Sequence, residues 1–187
     1  LQASPKFALA LAFTFMVVSA GVVYVMIFFG KVYAADMWAL RAEKSFAKGE
    51  LQDGLGKLTH SIALYPQESR YYLRLAQGYM GIANQEAQKG KDADQGMMAG
   101  AVQQSIRAGE VALRLSGKDV LVVESLALLY ENALQYANDA LPRTEELYKM
   151  AGELDVQNPL YMVKLGELKR NVGDAKPEAE RAPLYKE

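Results

Sequence analysis

The chain has 187 residues, 51% of them hydrophobic, and a formal net charge of −1. That length holds one membrane span and one soluble domain, and the near-neutral balance leaves no basic surplus for nucleic acid and no acidic tail for a histone-like or metal-rich partner. There are no cysteines, which excludes disulfide staples, thiol catalysis and cysteine-ligated metals.

The first predicted element is an uncharged run of 23 residues, Phe7 to Phe29, bracketed by Lys6 and Lys31. As a helix it rises roughly 34 Å, enough to cross a hydrocarbon core of about 30 Å. Its only polar interruptions are Thr14, Ser19 and Tyr24. In lipid a backbone must satisfy its own hydrogen bonds, which leaves the helix as the available form. The expectation is a transmembrane helix over 7–30 that contacts the lipid bilayer through Phe7–Phe29, with 1–6 as a flank. Tyr33 and Trp38 follow at headgroup depth. Two readings compete. A cleaved signal peptide would use Val32-Tyr33-Ala34 ahead of Ala35, but the run is about twice the usual length and Lys31 is badly placed. A buried soluble helix would be unusually long. Ala8, Ala12, Ser19 and Gly21 are small but make no GxxxG packing motif. One cation, Lys6, precedes the run, whereas Lys31, Arg41, Lys44 and Lys48 follow it. The positive-inside rule therefore places the remainder in the cytoplasm. The chain opens on Leu1, so a C-terminal piece of a longer product is expected, and preceding spans would then set the topology.

Beyond Ala35 the pattern is helical and repeats. Counting back from Pro66, the residues Trp38, Ala42, Gly54, Leu58 and Ser61 alternate large and small, as two closely crossing antiparallel helices require. Ser61-Ile-Ala-Leu-Tyr-Pro66 ends such a pair on a helix-stopping proline. A second unit begins with Tyr72, Leu75, Ala76 and Tyr79 and ends in Ala112-Leu-Arg-Leu-Ser-Gly117, with Gly117 in the place of the proline. A third has Val123, Leu126, Ala127 and Tyr130, then Tyr148, Ala151 and Leu154 before Asp155-Val-Gln-Asn-Pro159. A fourth first helix carries Met162, Leu165, Gly166 and Lys169, and Gly173 suits a left-handed cap at its end. The stretch 175–187, with Pro177 and Pro183, is half a repeat or a tail.

Three units in register, with their terminators, resemble the tetratricopeptide repeat family, whose period is about 34 residues. The resemblance spans Ala35 to Asp174 and implies an all-α fold: one N-terminal transmembrane helix, then a helical-repeat solenoid of about 3.5 pairs in units 35–68, 69–119, 120–158 and a partial 159–174. The second unit departs by an insertion of about 17 residues holding Gln88-Lys-Gly-Lys-Asp-Ala-Asp-Gln-Gly96, a polar connection between lengthened helices. The third carries a shorter insertion near Asn138 to Pro142. A generic helical bundle has the same periodicity and is the plain alternative.

No residue pattern carries chemistry. His60 is the only histidine and lacks an acidic residue at i+4, so it reads as a surface or groove residue, not a ligand. Glu145-Glu146 and Glu178 to Glu180 are adjacent carboxylates, which on a helix do not face one another and read as solvated faces. Phosphate loops, nucleophile elbows and metal-ligand spacings are missing, and no cofactor or enzymatic activity is expected. The tyrosines fall mostly at packing positions.

An array of this kind binds along the concave side lined by first helices. The register puts Glu43, Arg70, Arg74, Gln77, Glu124, Leu128, Glu131, Lys164 and Glu167 on or near that side, with Asp36, Ala39 and Leu73 beside them. Arg70 and Arg74, one turn apart, could meet an acidic group. The family's known clamp for a peptide carboxylate uses Lys and Asn where this chain has Ala39 and Glu43, so that clamp is absent. The expected function is a membrane-anchored scaffold for a protein or peptide partner, in cell-envelope or polysaccharide assembly.

The order of parts also resembles the C-terminal region of bacterial O-antigen ligase and polymerase membrane proteins that end in such repeats. The residues concerned are Lys31-Val-Tyr-Ala-Ala-Asp36 after the span, Ile62-Ala-Leu-Tyr-Pro66, Tyr71-Tyr-Leu-Arg-Leu-Ala-Gln-Gly-Tyr79, Val123-Glu-Ser-Leu-Ala-Leu-Leu-Tyr130 and Asn158-Pro-Leu-Tyr-Met162. This resemblance implies the alternative of a non-catalytic tail of a glycan-transferring enzyme. The transferring residues of that family lie in upstream spans and a loop, so none is carried over.

Overall fold

The apolar run and the first repeat helix are a single element. In the computed structural model, which describes residues 5–136 and 140–174, α1 runs unbroken from Pro5 to Ala47. Its 43 residues make a rod of roughly 65 Å. Its most apolar stretch is wholly uncovered by the rest of the chain and is long and apolar enough to cross a membrane. Burial begins at Ala35, where α2 (Leu51–Leu64) comes alongside.

Six further helices follow in up-and-down order: α2, α3 (Ser69–Ala87), α4 (Gln95–Ser116), α5 (Val120–Ala133), α6 (Ala140–Leu154) and α7 (Leu160–Asp174). The described residues form no strand. α1 pairs with α2, α3 with α4 and α5 with α6, and α7 packs on α6. Local sequence sets the turns. Gly49 takes a φ of +80°, its N–H donates to the Phe46 carbonyl and the Glu50 N–H to the Ser45 carbonyl, both at 2.9 Å, which closes α1 with paired C-terminal bonds. Asp94 and Asp119 cap α4 and α5 by accepting from the N–H groups of Met97 and Leu121.

Small residues admit the close crossings. A Cβ on Gly78 would lie 2.8 Å from Leu55 Cδ2, and one on Gly109 would lie 2.6 Å from Leu126 Cδ1. Ser61 Oγ donates to the Ala35 carbonyl at 2.7 Å, inside the α1–α2 contact. Ala76, Leu126, Ala127, Leu147 and Ala151 are fully buried in the main core, and Ala35, Ala42, Leu58 and Tyr71 form a second cluster at the α1 end. On the second helices Arg143 of α6 reaches back to Glu110 of α4 with two bonds of 3.0 and 3.2 Å to Oε1, and Tyr130 of α5 donates to the same oxygen at 3.0 Å. One carboxylate thus ties three helices.

The polar insertion lengthens the second pair: α3 has 19 residues and α4 has 22, against 14 in α2 and α5. A 3-10 turn (Gly90–Asp92) joins them, with Gly90 at φ +63°. Glu86, 4% exposed, accepts from Lys89 Nζ at 2.6 Å and from the Asp94 N–H at 2.9 Å. These bonds hold the Glu86 carboxyl below its usual range, the Asp94 N–H first and the Lys89 ammonium next.

Two local expectations change. Pro142, at the end of the shorter insertion, stands in the first turn of α6, where its missing N–H has no intrahelical partner to lose. Asn138 lies outside the described residues, as do Glu178 to Glu180 and the stretch 175–187. Gly173 is inside α7, which continues to Asp174, so it caps nothing. The buried positions of α7 are Tyr161, Leu165 and Leu168, whereas Met162 is 72% exposed and nothing approaches Gly166. Leu165 is buried as the repeat pattern requires, whereas Tyr161 and Leu168 are buried in place of the neighbouring Met162 and Lys169; α7 packs mainly on α6, and Tyr161 and Lys164 also reach α5.

Candidate binding groove

The second half of α1 and helices α3, α5 and α7 are the first helices of their pairs. The predicted groove residues fall there in two clusters. The first lies between α1 and α3. Asp36, Glu43, Arg70 and Arg74 line a cleft of about 350 Å³ with Tyr33 and Leu40. Glu43 and Arg74 continue into a second cleft of about 390 Å³ with Gln77, floored by Phe46 and Gly78.

Arg70 and Arg74 do not converge on one point. Arg70 forms a fork with Glu68, Nε to Oε1 at 2.9 Å and Nη2 to Oε2 at 3.1 Å, and the Arg70 N–H donates to the same carboxylate at 3.2 Å. Glu68 is the N-cap of α3, and the Arg70 guanidinium holds its carboxyl below the usual range. Arg74 pairs instead with Glu43 across the cleft. Behind them the Tyr71 hydroxyl donates to Asp36, and burial, then the Asp36 carboxylate, push that phenol up. The rim is therefore a row of alternating charges, each already partnered and each open to solvent.

The second cluster lies between α5 and α7. Lys164 Nζ stands 3.8 Å from both Glu131 and Glu167. Tyr148 donates to Glu131, and Tyr161 donates to Glu124 at 3.3 Å. Burial first and the Glu131 carboxylate second push the Tyr148 phenol up. Leu128, 40% exposed, lies on α5 between the two glutamates. Three carboxylates against one ammonium make this half of the groove acidic.

Of the residues placed beside the groove, Leu73 belongs elsewhere. Leu73 is buried against Ala112 and Val122, between α4 and α5. Ala39 lines the first cleft but is 4% exposed and closes its floor. His60 is on the outer side of α2, its ring 4.5 Å from Trp38, over which Arg41 also stands. Glu146 is solvated and pairs with Arg143 at 2.8 Å. Sequence reading missed Glu68 and the hydroxyls of Tyr71, Tyr148 and Tyr161. Those tyrosines bury their rings in the core, Tyr148 as the repeat spacing indicates and Tyr71 and Tyr161 one residue before the expected Tyr72 and Met162, and their polar tips reach the groove carboxylates. A Glu directly before the Ser-Arg start of α3 was the available signal for the cap. Among the described residues no group of three His, Asp or Glu side chains converges as a metal ion would require.

No family model and no curated protein matches the chain. Solved structures do match. The chain is similar to the TPR (tetratricopeptide repeat) domain of OM64 from Arabidopsis, with a TM-score of 0.56 at 13% identity over 75% of this chain and 98% of that one. It is similar to the Sgt2 TPR domain from Aspergillus fumigatus, with a TM-score of 0.57 at 16% identity over 78% and 83%. The first TPR domain of Spaghetti (RPAP3), bound to the HSP90 peptide SRMEEVD, gives 0.55 at 11% over 75% and 94%. The helix stack is a tetratricopeptide-like fold.

Proposed function

We propose that this chain is a membrane-anchored scaffold whose first helices hold an extended segment of a protein partner. The carrying observation is the open row of side chains along α1 and α3, where Asp36, Glu43, Arg70, Arg74 and Gln77 line two clefts that share Glu43 and Arg74. The similar Spaghetti domain was solved with a bound peptide, which supports a peptide-sized ligand. A free C-terminal carboxylate is a poor fit here, since Ala39 is a floor residue and Glu43 is anionic. A segment with an acidic side chain toward Arg70 and Arg74 and a basic one toward Glu124 and Glu131 matches the groove. The span Phe7–Phe29 supports the anchor, a place in cell-envelope or polysaccharide assembly suits a scaffold so tethered, and the Lys/Arg distribution favours the cytoplasmic face. A second reading, the non-catalytic end of an O-antigen ligase-like enzyme, is favoured by the direct passage from span to repeats. Sequence upstream of Leu1 in the gene separates the two: a run of further apolar segments supports the second.

The groove is tested by photocrosslinking in cells. A benzophenone side chain at Gln77 should give a discrete protein adduct, and the same group at Lys91, in the insertion, should not. Changing Arg70 and Arg74 to Glu should remove the adduct, and the interaction should weaken with salt. An adduct at Lys91 alone would move the site to the insertion.

A further inference from the structure

We propose that one edge of the repeat stack, the edge carrying the α2–α3 and α4–α5 turns, rests on the lipid headgroup layer. This rests on the reading of Phe7–Phe29 as a span. Because successive helices run up and down, the α2–α3, α4–α5 and α6–α7 turns share an edge, and α1 leaves toward its apolar half from that same edge. The Phe28 ring, in the last turn of the apolar run, meets the Tyr65 ring of the α2–α3 turn edge-on at 6.1 Å. With Phe28 at the hydrocarbon boundary, Tyr65 sits at headgroup depth, where tyrosine is favoured.

Several exposed apolar side chains of the repeats lie at the same edge. Leu115 and Leu121 flank the α4–α5 turn, and Leu154, Val156 and Leu160 flank the α6–α7 turn. Leu121 is 66% exposed. At the opposite edge Met97 is the exposed large apolar residue among those described, set among Lys48, Lys89, Lys91, Asp92 and Asp94. Tyr65, Leu121 and Val156 thus put a large apolar side chain on each of these three turns beside charges such as Lys118 and Asp119, the mixture that a headgroup layer accepts.

The heights agree. The Tyr71–Asp36 bond sets the first turn of α3 level with Asp36, seven residues past Phe29 and roughly 10 Å beyond the hydrocarbon. Leu73, Ala112 and Val122 pack together, which puts the start of α5 at the same level. The headgroup layer extends roughly 5–8 Å beyond the hydrocarbon. A span tilted by about 20° toward the repeats lowers α5, about 20 Å to the side, by about 7 Å. That brings Leu121 into the headgroups without bending α1.

The chain has no cysteine, so a single introduced thiol can carry a nitroxide. Leu121→Cys, Lys91→Cys and Val18→Cys are labelled in the full chain, reconstituted in phosphatidylcholine vesicles, and the collision rates with oxygen and with a water-soluble nickel chelate are compared. The label at Val18 should show oxygen dominating by a wide margin, and that at Lys91 the nickel chelate. At Leu121 the ratio of oxygen to nickel should be several-fold above that at Lys91. A water-like ratio at Leu121 with a lipid-like one at Val18 overturns the edge proposal and leaves the span standing. A water-like ratio at Val18 overturns both. An immobilised Leu121 label shielded from both reagents means that protein covers the edge, and the bilayer is then the wrong occupant.

Discussion

Ala127 sits on α5 in the middle of the main core with no exposed surface. Ala127→Leu adds three carbons where neighbouring helices already touch. The intrinsic helix preferences of the two residues differ little, so packing decides the outcome. Forcing such a side chain into a filled core costs about 1–3 kcal/mol. In a repeat domain of this size each kcal/mol moves the midpoint by roughly 3–5 °C, so a fall of roughly 3–15 °C is expected. The measurement is a far-UV circular dichroism melt of the full chain in detergent, where the apolar half of α1 contributes a steady baseline. Ala63→Leu is the matched control. Ala63 lies on an exposed face of α2, and its substitution should stay within about 0.5 kcal/mol. Equal shifts for the two variants would refute the packing of α5 against its neighbours and the helix stack with it.

Glu86→Gln should lower the melting midpoint at neutral pH. Glu86 titrates below the usual glutamate range when folded, so its contribution is present above that range and is lost as pH falls through the depressed value. The gap between wild type and variant should therefore close only once the pH falls below the usual glutamate range. A gap that persists there would show that Glu86 acts through packing alone. Gly49→Ala, at φ +80°, should cost about 1–2 kcal/mol, whereas Gly56→Ala, in α2 with open space around it, should stabilise by up to about 1 kcal/mol. Melting both separates backbone strain from helix preference. Membranes bearing the full chain should retain it through alkaline carbonate washing, and its release into the supernatant would count against the span.

The fold was legible where a residue's size alone decides its place. Ala42, Leu58, Ala76, Leu126, Ala127 and Ala151 are all buried as their spacing requires. Legibility failed where adjacent residues compete for one place or where a neighbour is shared. On α7 the pattern places Leu165 in the packing face but takes Met162 for its neighbour Tyr161, whose ring is the buried one. At Leu73 the repeat position assigned to the groove is turned into the stack, because the long α4 and the start of α5 both reach it. The groove was legible as a face but not as a network. Spacing places Arg70 and Arg74 one turn apart, yet it cannot say that Glu68 curls back over the first while Glu43 crosses to the second.

The unbroken α1 links these two parts of the chain. A span joined to its domain by a loop would leave the groove free to turn toward any partner. Here the helix that crosses the apolar run also carries Asp36 and Glu43 into the first cleft, and its C-terminal bonds at Gly49 and Glu50 lock α2 against it. Rotating α1 by one residue, about 100°, would swing both groove carboxylates away from α3. Inserting one alanine after Lys31 should therefore not merely lengthen the tether. It should either break α1 near the insertion or turn the repeat stack relative to the bilayer, and the nitroxide at Leu121 reports the second by losing its oxygen preference. Inserting a further three, to complete a turn, should restore the direction and raise the stack by roughly 6 Å.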